Sequence, residues 1–215
     1  MKIRTQENLL DVIDQDFAWR KKELATLRFV IKRAQSNPRF LTTALRAGIA
    51  LLYAHWEGFL KSSSENFLEF VSRQNLNNED VAPNILALCT KRMMNDSLAG
   101  SKIDQAIAIV SFFRDDMSKP LSLPRRTAIP TESNLSSTVL CNISKAVGID
   151  YSLFETKAFI IDERLLAKRN SIAHGQFFDL DLQEFEDTLN EMSQLLEVWR
   201  NEIENVCALR KYLVH

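Results

Sequence analysis

Apolar residues recur along this chain at helical spacing. Over residues 5–36, Leu10, Ile13, Phe17, Leu24, Leu27 and Ile31 stand three, four or seven positions apart, the stripe of an amphipathic helix. Arg20, Lys21, Lys22, Arg28, Lys32 and Arg33 supply most of its polar surface. The stretch SNP ends it, with Asn37 suited to cap and Pro38 to open the next helix. That helix, predicted over 38–74, carries the strongest period in the chain: Leu41, Leu45, Ile49, Leu52, Trp56, Phe59, Ser63, Phe67 and Phe70 step by three or four without a break.

Residues 75–84, NLNNEDVAPN, read as a turn, followed by a short helix to about Met93. A further helix is predicted over about 96–116, with Ile103, Ile107, Val110 and Phe113 as its apolar face. The period then breaks. DDMSKPLSLPRRTAIPTESN, 115–134, holds three of the five prolines and reads as a long loop with Arg125 and Arg126 at its centre. Helical spacing resumes at 136–147 (Leu140, Ile143, Val147, with Gly148 as the stop) and at 155–172 (Ile161, Leu165, Leu166, Ile172). Asp181 and Glu184 have capping-box spacing. They open a last helix over 182–212, lined by Phe185, Leu189, Met192, Leu196, Trp199, Ile203 and Val206. Long helices joined by short turns predict an all-α, up-and-down helical bundle with additional short helices and one long proline-containing loop. A length of 215 residues suits a single domain over 1–215, with the loop at about 115–134 as an insertion.

Composition narrows the function classes. The five glycines are scattered, so no phosphate-cradling loop is present, and no G-x-S-x-G elbow occurs. Cys89, Cys141 and Cys207 lie too far apart for a metal-ligand cluster, and an odd count argues against a disulfide framework. The charged N-terminus, MKIRTQENLLDVIDQDF, does not read as a secretory leader. No apolar run reaches the roughly 18 residues of a membrane span, so a reducing cytoplasm is the expected home. Net charge is −1, but residues 1–46 carry ten Lys/Arg against five Asp/Glu and residues 179–215 three against nine. The molecule therefore has either a basic and an acidic face, or two helix faces that neutralise each other.

The most concentrated polar chemistry is RNSIAHG, Arg169 to Gly175. The chain has three histidines, His55, His174 and His215, and only His174 keeps such company. An arginine stays cationic and can hold two phosphate oxygens, while a histidine can take a proton from a ribose 2′-hydroxyl and return one to the leaving oxygen. Those residue types suit cleavage of an RNA phosphodiester without metal, the nucleophile belonging to the RNA. The competing reading is a helix C-terminus whose cations meet the dipole. Five residues at 100° each put Arg169 and His174 about 140° apart on a regular helix, whereas Asn170 and His174 share a face. Either the helix ends or bends near Ala173-His174-Gly175, or two copies of the motif meet across a two-fold axis.

LLAKRNSIAHG (165–175) resembles the R-x4-H motif of the HEPN superfamily, in the form where Asn follows the Arg and Ala-His-Gly closes it. IALLYAHWEGFLK (49–61) and ESNLSSTVLCNISKAVGID (132–150) are similar to the MAE-like HEPN branch. The resemblance implies a helical bundle that dimerises with the motif at the interface. It further implies a metal-independent endoribonuclease with no organic cofactor, acting as a toxin or defence effector with a possible antitoxin or other protein partner. Carried over by position, Arg169 would hold the phosphate, His174 would transfer protons, and Asn170 would orient the histidine or the RNA. Ser171, Arg125 and Arg126 are candidate substrate contacts, although two loop arginines can equally be solvated charges. Trp56 sits on the core stripe, and its neighbours His55 and Glu57 are candidates for supporting the motif. The spacing of Glu57 and Lys61 also suits a surface ion pair. The alternative within the same family is a non-catalytic dimer that binds RNA or protein. A helical adaptor of another kind would keep the motif buried, away from any interface.

Overall fold

The computed structural model describes residues 3–96, 102–123 and 134–214. Helix α1 (Gln6–Ala34) starts where the Thr5 hydroxyl accepts the Asn8 N–H at 3.1 Å. Helix α2 (Pro38–Val71) starts as expected, with Asn37 Oδ1 accepting from the Arg39 and Phe40 N–H groups and Pro38 at the first turn. Helix α8 (Leu182–Ala208) is capped by Asp181, whose Oδ1 accepts the Glu184 N–H at 2.7 Å. The capping box is only half made, because the Glu184 carboxylate reaches Lys168 instead.

These three long helices pack on one another and enclose the core. Every residue of the stripe predicted for α8 is buried, and so is the α2 stripe from Leu45 onward. Ser63 earns its place on that stripe. Its Oγ donates to the Phe59 carbonyl and accepts the indole N–H of the fully buried Trp199 at 2.9 Å, which satisfies a donor that would otherwise be stranded. On α1 the expectation needs correction. Leu9 rather than Leu10 is fully buried, and Arg20, expected at the surface, is 9% exposed. The reason is pairing: Arg20 Nε lies 2.9 Å from Asp16 Oδ1, and its Nη1 donates to the His55 carbonyl. Gly58 leaves room for it, since a Cβ there would stand 2.9 Å from Arg20 Nη1.

The opposed charges of the two chain ends meet each other. Lys21 pairs with Glu197 at 2.6 Å and Arg28 with Glu186 at 2.9 Å, and Lys32 reaches the same Glu186 at 3.7 Å. Much of the excess basic charge on α1 is thus spent against α8, and the reading of mutually neutralising faces holds along this seam.

Shorter elements flank the bundle. A single 3-10 turn, Asn78–Asp80, leads to α3 (Pro83–Asp96), and α4 (Lys102–Asp115) follows. The apolar face predicted for α4 faces solvent. Ile103, Ile107, Val110 and Phe113 are all about half exposed or more, and Phe112 is buried in their place. Residues 116–123 fold back on the turn, with Leu121 N–H donating to the Leu76 carbonyl and Leu123 buried. Arg125 and Arg126 lie outside the described residues. Helix α5 (Ser137–Val147) ends at Gly148 in the left-handed region, φ +83°, as expected.

The helix expected over 155–172 is built in parts. A four-residue helix α6 (Ser152–Glu155) comes first. A continuous helix from 158 to 173 follows, whose middle, Ile160–Ala167, is π-helical and whose end, Lys168–Ala173, is α-helical and is named α7. A π segment widens the turn and rotates everything downstream relative to a regular helix. Leu165 and Leu166 of this segment are both buried, and it leads directly into the residues of the motif.

Candidate active site

The motif occupies α7 and the turn that ends it. His174 caps the helix with φ −90° and ψ +8°, and Gly175 follows at φ +69°. Gly175 N–H donates to the Ile172 carbonyl at 3.0 Å and Gln176 N–H to the Ser171 carbonyl at 2.8 Å. This pair of bonds is the Schellman C-cap, which needs a left-handed residue after the cap. Nothing lies within 4 Å of a Cβ built on Gly175, so backbone conformation alone calls for glycine there.

The helix end predicted at Gly175 is therefore present, but it does not turn His174 toward Arg169. The backbone of His174 still follows Ala173, and only the residues beyond it are redirected. On the α-helical backbone of α7 the two positions stand about 140° apart around the axis. His174 is exposed at the surface, whereas Arg169 is drawn inward against α2.

The setting of Arg169 is specific. Its guanidinium lies over the ring of Tyr53, 3.9 Å from the centroid. Its Nη1 donates to Asn170 Oδ1 at 2.9 Å, and its Nη2 is 3.8 Å from Glu57 Oε2. Tyr53 and Glu57 are one helical turn apart on α2, so a single face of that helix supplies both the ring and the carboxylate. Glu57 makes no ion pair with Lys61; its cation is Arg169. Asn170 spends its side-chain oxygen on Arg169, which places it as a partner of the arginine rather than of the histidine. Ser171 is partly buried beside them.

His55 belongs to a different place. Two residues from Tyr53 and Glu57 in either direction, it points to the opposite side of α2. It is 2% exposed, its Nε2 lies 3.0 Å from Glu23 of α1, and Trp19 packs edge-on against it. Burial holds its pKa below the ordinary value, opposed chiefly by Glu23. It supports the α1–α2 contact, where Glu23, Trp19 and Arg20 of α1 surround it.

Cations and rings continue past the motif. Arg46 of α2 and Lys168 both stand over the ring of Phe178, at 5.1 and 5.9 Å, and the preceding Phe177 is 74% exposed. A groove of about 410 Å³ between α1 and α8, floored by Phe17, Leu24, Leu189 and Leu196, has none of the motif side chains in its lining. Among the described residues no three His, Cys, Asp or Glu side chains form a group that could hold a metal ion, and no helix is long and apolar enough to cross a membrane.

Tyr53 is the residue the hydrophobic pattern did not single out. The available signal was its spacing of four from Glu57, off the phase of the core stripe. Without knowing that α7 packs there, that spacing has no meaning.

A search of curated proteins and a search of solved structures each returned no match. A family model for an MAE-like HEPN group matches residues 9–212. That span covers nearly the whole chain and every element around the motif, so the chain belongs to the HEPN superfamily.

Proposed function

We propose that this protein is a metal-independent endoribonuclease that works as a homodimer, with Arg169 holding the scissile phosphate and His174 moving protons between the 2′-hydroxyl and the leaving oxygen. One observation carries the reading: in a HEPN chain, a surface histidine caps the very helix whose arginine is engaged by a ring, a carboxylate and an amide. An arginine so fixed loses little freedom when it meets a phosphate, and an exposed imidazole can exchange protons with water between turnovers. Asn170 helps hold Arg169 in this scheme, and Ser171 is a candidate substrate contact.

The divergence of Arg169 and His174 within one chain supports the dimer. A two-fold axis beside α7 would bring the histidine of one copy toward the arginine of the other. The adjoining face of α2 offers small exposed residues, Ala47 and Ala54, that leave room for such an approach. A toxin or defence effector acting on RNA in the cytoplasm, restrained by an antitoxin or other protein, is the setting this activity fits.

The test is cleavage of RNA in EDTA by wild type, Arg169→Ala and His174→Ala. Both substitutions are expected to lower the rate by roughly 10²–10⁴-fold without changing the fold. Activity that survives both would remove the assignment. The engagement of Arg169 with Glu57 and Tyr53 also fits a second reading, a HEPN dimer that binds RNA without cutting it. RNA retained by wild type with no cleavage product would select that one.

A further inference from the structure

Tyr53 is a buried tyrosine in contact with the arginine of the motif, and the roles assigned so far do not use it. It is 3% exposed, so its ring cannot stack on a nucleobase. Its position is determined at both ends. The phenol oxygen accepts the Leu135 N–H at 2.7 Å, and the face of the ring carries the Arg169 guanidinium at 3.9 Å. Leu135 is itself immobilised. It is fully buried, and two residues on, Ser137 donates its N–H to Asp162 Oδ1 at 2.7 Å and its hydroxyl to the other oxygen of the same carboxylate. Asp162 lies in the π-helical segment that leads into α7. The ring under Arg169 is thus tied, through residues 135–137, to the same helix that carries Arg169.

We propose that Tyr53 is a positioning residue for the reaction, a platform whose ring face holds the Arg169 guanidinium at the place where it meets the scissile phosphate. The inference rests on the ribonuclease reading above. Burial pushes the phenol above its ordinary pKa, so the ring stays neutral and presents a π face rather than a competing anion. A guanidinium held 3.9 Å from the ring centroid has given up side-chain freedom before substrate arrives, so less is lost when it meets phosphate oxygens in two-point recognition. The 3.8 Å spacing to Glu57 is longer than a close ion pair, so a phosphate can compete with that carboxylate for Nη2.

The chain has three tyrosines, Tyr53, Tyr151 and Tyr212, which makes the test direct. Protein labelled with 3-fluorotyrosine is examined by ¹⁹F NMR, the Tyr53 line being assigned with Tyr53→Phe. A mixed-sequence single-stranded RNA is added to the His174→Ala chain in EDTA, so that binding occurs without turnover. The Tyr53 line is expected to shift while the Tyr151 and Tyr212 lines stay, and the shift is expected to vanish in the Arg169→Ala, His174→Ala double variant. Bound RNA with a stationary Tyr53 line overturns the inference and leaves the ribonuclease reading standing. RNA that neither binds nor is cut by wild type overturns both.

Kinetics give the second arm. Tyr53→Phe keeps the ring but strands the Leu135 N–H, so it is expected to lose less kcat/KM than Tyr53→Leu, which loses about 3- to 30-fold. In the Arg169→Ala background, Tyr53→Leu is expected to cost nothing more, because the group it positions is gone. Losses that multiply in the double variant would show a purely structural tyrosine.

Discussion

At the residue scale, two positions outside the chemistry decide whether the motif is presented. Gly175 holds φ +69° in open space, so its replacement meets no clash and only backbone strain. Gly175→Ala is expected to cost about 1 kcal/mol, read as a fall in thermal midpoint, and to lower activity by loosening the Schellman turn under His174. A thermal midpoint unchanged from wild type would show that the turn adopts another geometry. His55 makes a prediction about pH. Its folded pKa lies below the ordinary value of about 6.5, so between the two values the unfolded chain binds the extra proton. Stability must therefore rise with pH through this window and be lost as pH falls below about 6.5. Denaturant titrations at stepwise pH should show this slope, and His55→Gln should flatten it. Any slope that persists in His55→Gln belongs to other groups, the carboxylates among them.

At the element scale, the contrast between α4 and α5 shows what a hydrophobic period does and does not reveal. Both were predicted as amphipathic helices, and both are helical. Leu140, Ile143 and Val147 of α5 bury their stripe, whereas Ile103, Ile107, Val110 and Phe113 of α4 present theirs to solvent. The period reports that one face is apolar, not that the face has a partner in the same chain. Ile143→Ala is expected to cost about 2–5 kcal/mol and Ile107→Gln less than about 0.5 kcal/mol, measured by chemical denaturation. A large loss at Ile107 would mean that α4 carries part of the core after all. The π-helical segment before α7 was not legible. It differs from a regular helix by a widened turn, and the same apolar residues, Ile161, Leu165 and Leu166, fit either winding at this length.

At the scale of the whole molecule, the site as proposed is incomplete in one chain, since Arg169 faces α2 and His174 faces solvent. Activity per chain should therefore fall on dilution through the dimer dissociation range, in step with mass measured by light scattering. Ala54→Glu, at an exposed position where the monomer tolerates it, should move that range to higher concentration. Constant activity per chain in a monomeric protein would exclude a shared site.

What the sequence determined by itself is local and periodic. The three long helices, their caps at Asn37 and Asp181, the stops at Gly148 and Gly175, and the resemblance of RNSIAHG to the family motif all follow from residues within a few turns of each other. Such features rest on backbone sterics, capping bonds and the burial of one stripe, all written in short stretches of sequence. What the tertiary structure decided depends on which surfaces meet. Packing of α7 on α2 turned Tyr53 and Glu57 from two positions on a long helix into the seat of Arg169. The α1–α2 contact took His55 away to Glu23 and buried Arg20 against the His55 carbonyl. Those outcomes depend on pairs more than thirty residues apart brought within a few ångströms, and no spacing along the chain encodes such a distance.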